Sequence, residues 1–539
     1  MNLLGQIFYI INKQRFFNSK NSYLQKVLWG IFPIIIFLSV ALPYLSHSPR
    51  WFLDETWLSL FGYGLYHDGR LYHPVIRGWG GMDRYFLLPA LILPVTTAIF
   101  FKLFGYGIFQ ARLASICMGC IVIMFVYRIG KKIFGFKPAL LASILLAVYP
   151  WFQDIASRVR PEIYSMAIGF FAIFLSLDLW DKKYLPKRLF LVGMLMGVSV
   201  YTHPQAVLFT GIVILLIIWN NWKFFFKNSL LLGLGLILGI LPYILYILYV
   251  IAKTTPEQVS FSNQLIGYRT VGIINLIEGH IGYVIYLEKL RWKNYLRMPV
   301  GLPLIILYGI VICQTLFRRN KTRQAFILAL IYILYVFLLP LITANNCSRY
   351  LAIIEPIPIL LFVRLLSNDA SFFNASGSRW EKINNYLRNL FRIGYVIMLI
   401  GFLSVSIYAK LFFRRADISK IINQISEIVP NNVEVTGEII FGLFPEKLKI
   451  VYPVPWKGFI TNEKKIAEAK TPYILSSLGW GANRGLWLPP PEIVPDLPIT
   501  KYAQTHGELI VSFFDKYYGP IRLYKLKSNS NSVNSQSQP

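Results

Sequence analysis

Long runs of apolar residues, separated by short basic links, dominate this chain. The runs are roughly 17–22 residues long and carry no charge, which is the length that crosses a hydrocarbon core of about 30 Å. Hydrophobic residues make up 55% of the sequence, more than a soluble domain can hide from water. The pattern therefore predicts an all-α, polytopic membrane protein.

The strong basic excess has a topological explanation. The formal net charge is +29, which on a soluble protein would suggest nucleic-acid binding. Here most of the basic residues fall in the links between apolar runs, where cytoplasmic retention of Lys and Arg accounts for them. We therefore expect no nucleic-acid partner.

The charge of each link also predicts an orientation. With a cytoplasmic N-terminus, six basic links fall on the cytoplasmic side, provided that 86–104 lies along the outer interface and does not span. If 86–104 spanned, the basic link 128–137 would face outward, against the positive-inside rule. About 11 transmembrane helices follow from this choice: 28–47, 112–128, 138–152, 163–180, two helices flanking 201–204, 230–251, 299–316, 325–342, 351–367 and 393–413.

The composition changes after the last apolar run. Alternating residues at 433–435 and 448–452 predict strands, and 417–428 predicts an amphipathic helix. The sequence thus divides into a transmembrane domain (1–413), a small extracytoplasmic α/β domain (414–526) and a Ser/Asn/Gln-rich tail (527–539). The tail cannot bury a core and is predicted to be disordered.

Acidic and basic residues recur in two predicted outer loops, close to helix ends. Carboxylates can take a proton from an acceptor hydroxyl, and arginines can hold a phosphate with two parallel hydrogen bonds. Together they are suited to sugar transfer from a phosphate leaving group. The first loop contains Asp54, Glu55, His73, Asp83 and Arg84, and the second contains Asp154, Arg158, Arg160 and Glu162.

Several segments, in order, resemble the GT-C glycosyltransferases. An Asp-Glu pair follows the first helix, and a lying helix follows in the first outer loop. The motifs LFGYGIFQARLAS, KKIFGFKPALLAS, ASRVRPE and SRYLAIIEPIP come next. Over roughly 50–365 they are similar to the family of protein O-mannosyltransferases and bacterial aminoarabinose transferases, which use dolichyl- or undecaprenyl-phosphate sugars.

This resemblance implies roles for individual residues. It assigns Asp54 as the catalytic base and Glu55 as a positioning acid. It places Asp83 and Arg84 beside the donor phosphate, although the Pro-Pro that relatives often carry after Arg84 is missing here. Asp154 and Glu162 are both candidates for the second-loop acid, and Glu162 is slightly favoured. Arg349 with Tyr350 would hold the lipid phosphate.

Other positions keep two interpretations. His203 either contacts the donor or, with Pro204, simply ends a helix. His73 is a substrate contact or a solvated loop residue, and Arg158 contacts substrate or extends toward lipid headgroups. No residues have zinc-site spacing. Related sites sometimes use a divalent cation, and Asp54 and Glu55 alone do not establish one.

The hypothesis from sequence is an inverting transferase. It moves a sugar from a polyprenyl-phosphate donor in the bilayer to a hydroxyl of a glycan, lipid or protein on the extracytoplasmic side. The predicted location is a bacterial inner membrane. The alternatives are a transporter or flippase of lipid-linked saccharides, and a non-catalytic envelope assembly protein.

Overall fold

The structure is a computed structural model of the chain. It describes residues 22–49, 51, 53–181, 185–220, 222, 225–266, 277–296, 301–317, 322–343, 348–366, 378–412, 414–415, 417–454, 461–477, 498–515 and 518–527. The predicted tail lies outside these residues from position 528 onward.

Helices dominate the part of the chain that the structure describes. In chain order they are α1 (Ser22–Ala41), α2 (Leu53–Asp68), α3 (Ile92–Phe104), α4 (Ile108–Phe134), α5 (Phe136–Val148), α6 (Pro150–Ala156), α7 (Pro161–Trp180), α8 (Pro186–Val200), α9 (Pro204–Asn220), α10 (Phe225–Lys253), α11 (Phe261–Ile266), α12 (Ile281–Leu296), α13 (Gly301–Phe317), α14 (Arg323–Ile342), α15 (Arg349–Ala352), α16 (Pro356–Arg364), α17 (Ser378–Phe412), α18 (Ser419–Ile428), α19 (Glu463–Glu468) and α20 (Pro498–His506).

The described strands are β1 (Ile76–Arg77), β2 (Glu434–Gly437), β3 (Lys449–Pro453), β4 (Tyr473–Ser477), β5 (Gly507–Asp515) and β6 (Gly519–Leu526). The predicted strands at 433–435 and 448–452 correspond to β2 and β3. The predicted amphipathic helix corresponds to α18.

Five of the described helices are long and apolar enough to cross a membrane: α4, α7, α10, α14 and most of α17. Two bent helix pairs, α5 with α6 and α12 with α13, raise this number to seven if each pair is one span. The chain is thus a multi-pass membrane protein. Other predicted spans correspond to shorter helices, and the predicted span 351–367 is divided into α15 and α16, so the number eleven stays a prediction.

The chain forms two compact units, and both are discontinuous in sequence. The first consists of Met1–Leu45, Arg112–Ile244 and Thr270–Tyr408, and the second of Ser46–Ala111, Leu245–Arg269 and Ala409–Pro539. The predicted domain boundary at 413/414 stays a prediction.

In the first unit, α8 and α10 pack so closely that their backbones are in contact. A Cβ on Gly193 would lie 2.1 Å from the Leu232 carbonyl oxygen, and one on Gly235 would lie 2.1 Å from the Phe190 carbonyl oxygen. Hydrocarbon tails are as apolar as leucine, so helices in a bilayer associate through such close packing of small residues. These glycines therefore fix the separation of α8 from α10.

Proline breaks a predicted span of the first unit into two helices. The sequence predicts one helix over 138–152, but α5 ends at Val148 and α6 begins at Pro150, with a bend of 65° between them. Pro150 lacks the amide hydrogen needed to continue α5, whereas it fits the first turn of a new helix. The bend moves Asp154 from the predicted loop into α6.

The second unit contains a helix that the sequence analysis did not predict. Residues 48–85 are a long polar and aromatic segment that the sequence places outside the membrane, and 53–68 of them form α2. Its first turn contains Asp54 and Glu55, where negative charge complements the helix dipole. Helix α2 packs against α3. Helix α3 has 13 residues and rises only about 20 Å, which favours the prediction that 86–104 does not span.

A six-stranded sheet joins distant parts of the second unit. The strand order is β1-β3-β2-β4-β6-β5, with β1, β3, β2 and β4 parallel and β6 antiparallel to both β4 and β5. Ile474, Ile499 and Tyr524 are among the buried residues that form its hydrophobic core. The outermost strand β1 comes from the segment that follows α2, more than 350 residues before β3 in the sequence.

Candidate active site

The turn between α6 and α7 carries two buried ion pairs. The Arg158 Nε atom lies 2.6 Å from Asp154 Oδ1, one helical turn earlier. The Arg160 guanidinium donates two hydrogen bonds to Glu162, from Nη2 to Oε1 at 2.6 Å and from Nε to Oε2 at 3.1 Å. All four side chains are buried, so these predicted loop residues do not lie in solvent. Buried charges of this kind must be paired to be tolerated.

Local sequence explains the geometry of the second pair. Arg160 has extended backbone geometry, Pro161 begins α7 and Glu162 lies in its first turn. Proline in the first turn costs no hydrogen bond, and the helix dipole favours a carboxylate there. The Glu162 carboxylate is therefore held by the helix and by both arms of the guanidinium.

Glu162 is the centre of a larger charged group within the first unit. Arg349 and His203 both interact electrostatically with its carboxylate. Arg349 begins the short helix α15, which packs against α6. The cluster formed by Asp154, Arg158, Arg160, Glu162 and Arg349 has three guanidinium groups against two carboxylates, an excess of positive charge that suits an anionic ligand. We call it the arginine cluster.

His203 and Tyr350 lie beside each other next to this cluster. Their ring centroids are 6.0 Å apart, and the Tyr350 carbonyl oxygen accepts a hydrogen bond from the Tyr335 hydroxyl at 3.3 Å. Burial lowers the pKa of His203 to about 4, although Glu162 opposes the shift. The imidazole is thus neutral at pH 7. Within the described part of the chain, His203 Nδ1 has no hydrogen-bond partner, which leaves it able to bind a ligand hydroxyl.

Gln205 is a polar residue near His203 that the sequence analysis missed. It is fully buried in the first turn of α9, and neither its Oε1 nor its Nε2 atom has a hydrogen-bond partner among the residues that the structure describes. An unpartnered buried polar group costs about 1–3 kcal/mol. The signal in the sequence was a glutamine directly after His203-Pro204 at the start of an apolar run.

Glu355 is a second residue that was missed. It is buried between α15 and α16 and accepts a hydrogen bond from the Tyr295 hydroxyl. Tyr149, at the start of α6, and Tyr308 also interact with its carboxyl group. The signal was an acidic residue within the apolar run LAIIEPIPILLF, because an ionisable group inside such a run is usually functional.

The first-loop residues all belong to the second unit. In α2, Asp54 is half-buried and Glu55 is fully buried. Asp83 is half-buried and Arg84 is exposed. The structure therefore brings together the second-loop and late residues within one unit, and the first-loop residues within the other.

His73 has a structural role that the sequence analysis did not anticipate. Its Nδ1 atom accepts hydrogen bonds from the backbone amides of Val75, at 3.3 Å, and Ile76, at 3.0 Å. Its ring contacts Phe61 at a centroid distance of 4.9 Å. Full burial lowers the pKa of His73 to about 3. The interpretation as a solvated loop residue is wrong, and a substrate contact stays untested.

The burial of neutral His73 predicts a pH-dependent loss of stability. The unfolded chain protonates this imidazole below its ordinary pKa of 6.5, while the folded chain keeps it neutral until about pH 3. Stability therefore falls as pH drops through 6.5, by about 2 kcal/mol at pH 5. His73→Asn keeps an acceptor for the two amides, and its melting temperature should fall less between pH 7.5 and pH 5 than that of the unaltered protein.

Exposed His280 provides the control for this measurement. His280→Asn should leave the difference between the two melting temperatures unchanged. Equal pH sensitivity in His73→Asn and the unaltered protein would contradict the assignment.

The described residues contain no ready-made metal cluster. Among these residues, no group of three or more His, Cys, Asp or Glu side chains could hold a metal ion. Asp54 and Glu55 supply two carboxylates, and a divalent cation at this pair stays untested. We therefore derive no step through a metal.

Comparisons with known proteins bear on the fold. A family model described as dolichyl-phosphate-mannose-protein mannosyltransferase matches residues 89–249. ArnT from Cupriavidus metallidurans, solved bound to undecaprenyl phosphate, superimposes with a TM-score of 0.59 at 13% identity, over 97% of this chain and 100% of ArnT. The fold is that of a GT-C glycosyltransferase.

A second GT-C structure is also similar. The Archaeoglobus fulgidus oligosaccharyltransferase, solved in complex with Zn and sulfate, has a TM-score of 0.50 at 12% identity, over 92% of this chain and 73% of that enzyme. No curated protein matches the chain in sequence. The resemblance to GT-C enzymes predicted from the sequence is confirmed, and LFGYGIFQARLAS, KKIFGFKPALLAS and ASRVRPE lie within the matched range.

Proposed function

We propose that this chain is an inverting membrane glycosyltransferase, which transfers a sugar from a polyprenyl-phosphate donor to an acceptor hydroxyl on the extracytoplasmic side. The observation that carries the proposal is the arginine cluster at the α6–α7 turn. It combines buried, oriented guanidinium groups with an excess of positive charge. The undecaprenyl phosphate bound to ArnT, which has the same fold, supports a lipid phosphate as the ligand.

The donor phosphate would bind to Arg349. Arg349 interacts with Glu162 at the centre of the cluster. Arg158 and Arg160, which pair with Asp154 and Glu162 at 2.6 Å, would hold the cluster in place around the phosphate. Guanidinium groups bind phosphate oxygens with two parallel hydrogen bonds. Neutral His203 and the amide of Gln205 would accept hydrogen bonds from the sugar hydroxyls and donate hydrogen bonds to them.

Asp54 would act as the base that takes the proton of the acceptor hydroxyl. The acceptor hydroxyl oxygen attacks the anomeric carbon while Asp54 takes its proton. The bond from that carbon to the phosphate oxygen breaks, and its electron pair leaves with the polyprenyl phosphate. A single displacement inverts the carbon. Positioning and charge complementarity supply most of the acceleration, because phosphate is a good leaving group once its charge is balanced.

The chemistry can be tested with purified protein in lipid. The protein is incubated with a panel of polyprenyl-phosphate sugars and candidate acceptors, and the products are identified by mass. We expect release of free polyprenyl phosphate from one donor, with the sugar recovered on an acceptor in the opposite anomeric configuration.

A different outcome would favour the transporter alternative. In that case the glycosylated lipid would move between leaflets of a vesicle and be recovered intact. Retention of the anomeric configuration in the product would contradict the single-displacement mechanism, even if transfer were observed.

A further inference from the structure

The sheet of the second unit, which we call the C-terminal sheet because β2 to β6 lie between Glu434 and Leu526, includes part of the predicted first outer loop. Strand β1, which follows α2, pairs in parallel with β3. The amide of Tyr452 donates to the Val75 carbonyl oxygen, and the amide of Val454 donates to the Arg77 carbonyl oxygen, both at 2.9 Å. The Arg77 guanidinium also lies 2.5 Å from Glu434 Oε1. The segment after α2 is therefore an edge strand of the C-terminal sheet.

The residues beyond 408, which we call the C-terminal segment, also contact α2 and the loop beyond α3. The one-turn helix Ile439–Leu443 packs against α2, and its Leu443 carbonyl oxygen accepts a hydrogen bond from the Tyr106 hydroxyl at 2.7 Å. Ile440 and Phe441 in this turn are fully buried. The helix that carries the predicted catalytic acids is thus packed on C-terminal residues.

The residues immediately before α2 are held from the C-terminal side as well. The Lys410 Nζ atom donates to the Ser48 carbonyl oxygen at 3.1 Å, and Ser48 Oγ donates to the Ala409 carbonyl oxygen at 3.2 Å. The Trp51 amide donates to the Tyr518 hydroxyl at 3.2 Å, and both of these side chains are buried. Trp51 lies three residues before Asp54.

We propose that the C-terminal segment positions the first-loop acids, with Tyr518 as a positioning residue that acts through Trp51 on Asp54. Residues beyond 408 contact the chain before α2, along α2 and after α2. Three such attachments leave little freedom for the carboxylates in the first turn of α2. The inference rests on the proposed function, since it assumes that Asp54 takes part in transfer.

The matched variants are Tyr518→Phe and Tyr502→Phe. The first removes only the hydroxyl that accepts a hydrogen bond from the Trp51 amide. The second removes a hydroxyl from half-buried Tyr502 on α20. We expect Tyr518→Phe to lower kcat about tenfold and to leave KM for the donor unchanged, because small misplacements of a reacting group are costly. Tyr502→Phe should behave like the unaltered protein, and Lys410→Gln provides a second variant with the kcat loss expected of Tyr518→Phe.

A second readout is independent of activity. Asp54→Cys is prepared in a chain whose native cysteines are replaced by serine, with and without Tyr518→Phe, and its reaction rate with a soluble thiol reagent is measured. We expect a several-fold faster reaction in the Tyr518→Phe background than in the chain that keeps the tyrosine. Unchanged labelling rates would overturn the positioning role. Faster labelling with unchanged kcat would support that role and contradict Asp54 as the base of the proposed function.

Discussion

Replacing Asp54 with asparagine is expected to lower kcat for sugar transfer by about 100–10,000-fold, the usual contribution of a general base. Asparagine has nearly the shape of aspartate but cannot take a proton from the acceptor. Asp54 lies in the first turn of α2 and is half-buried, so the substitution should leave the helix intact. KM for the donor should change little, because the proposed phosphate ligand is Arg349 and not Asp54.

Asp68→Asn is the matched control, since Asp68 ends the same helix. This side chain accepts a hydrogen bond from the Tyr72 hydroxyl, and its change should leave kcat unaltered. The measurement is initial rate against donor and acceptor concentration, with folding checked by melting temperature. Near-normal turnover of a folded Asp54→Asn protein would remove Asp54 as the base.

Glu162→Gln is expected to lower the free energy of unfolding by about 3–5 kcal/mol, since it leaves the buried Arg160 charge without its carboxylate partner. The two side chains share a pair of hydrogen bonds and are almost inaccessible to solvent. The Gln side chain can accept from only one arm of the guanidinium. The change should appear as a lower melting temperature in detergent and a lower yield of folded protein.

A double variant separates loss of pairing from loss of packing. Arg160→Met combined with Glu162→Gln removes both charges, and it should regain much of the stability that the single variant loses. Glu278→Gln, at an exposed glutamate, is the control for the chemical change alone. If the single Glu162→Gln variant had the same melting temperature as the unaltered protein, the Arg160–Glu162 pair would not stabilise the first unit.

The sequence predicted best what depends on local pattern. Apolar runs identified helices such as α7 and α14, and alternation identified β2 and β3, because each pattern has a defined period. Acidic and basic residues near helix ends identified Arg160, Glu162 and Arg349, which the structure groups within one unit. The bend at Pro150 was missed because proline is tolerated within membrane helices and does not by itself announce a break.

Features that depend on distant pairing were not predictable. Strand β1 has two residues and joins β3 across most of the sequence, so no periodicity could reveal it. Glu355 was missed as a site residue because its tyrosine partners come from three other segments, which only the fold brings together. Gln205 was missed for a similar reason. Its side-chain amide is buried only once α9 has packed against its neighbours, and it then has no hydrogen-bond partner in the described part of the chain.

The glycines between α8 and α10 impose a size limit on the first unit. Each carbonyl oxygen of one helix occupies the space where a side chain of the other would begin, so even a methyl group must push the two backbones apart. Helix α8 leads directly to His203, and a wedge of this kind would be transmitted along the helix to the imidazole. Gly193 and Gly235 therefore leave no room for a side chain of even one carbon atom, although both lie far along the chain from any charged residue of the arginine cluster.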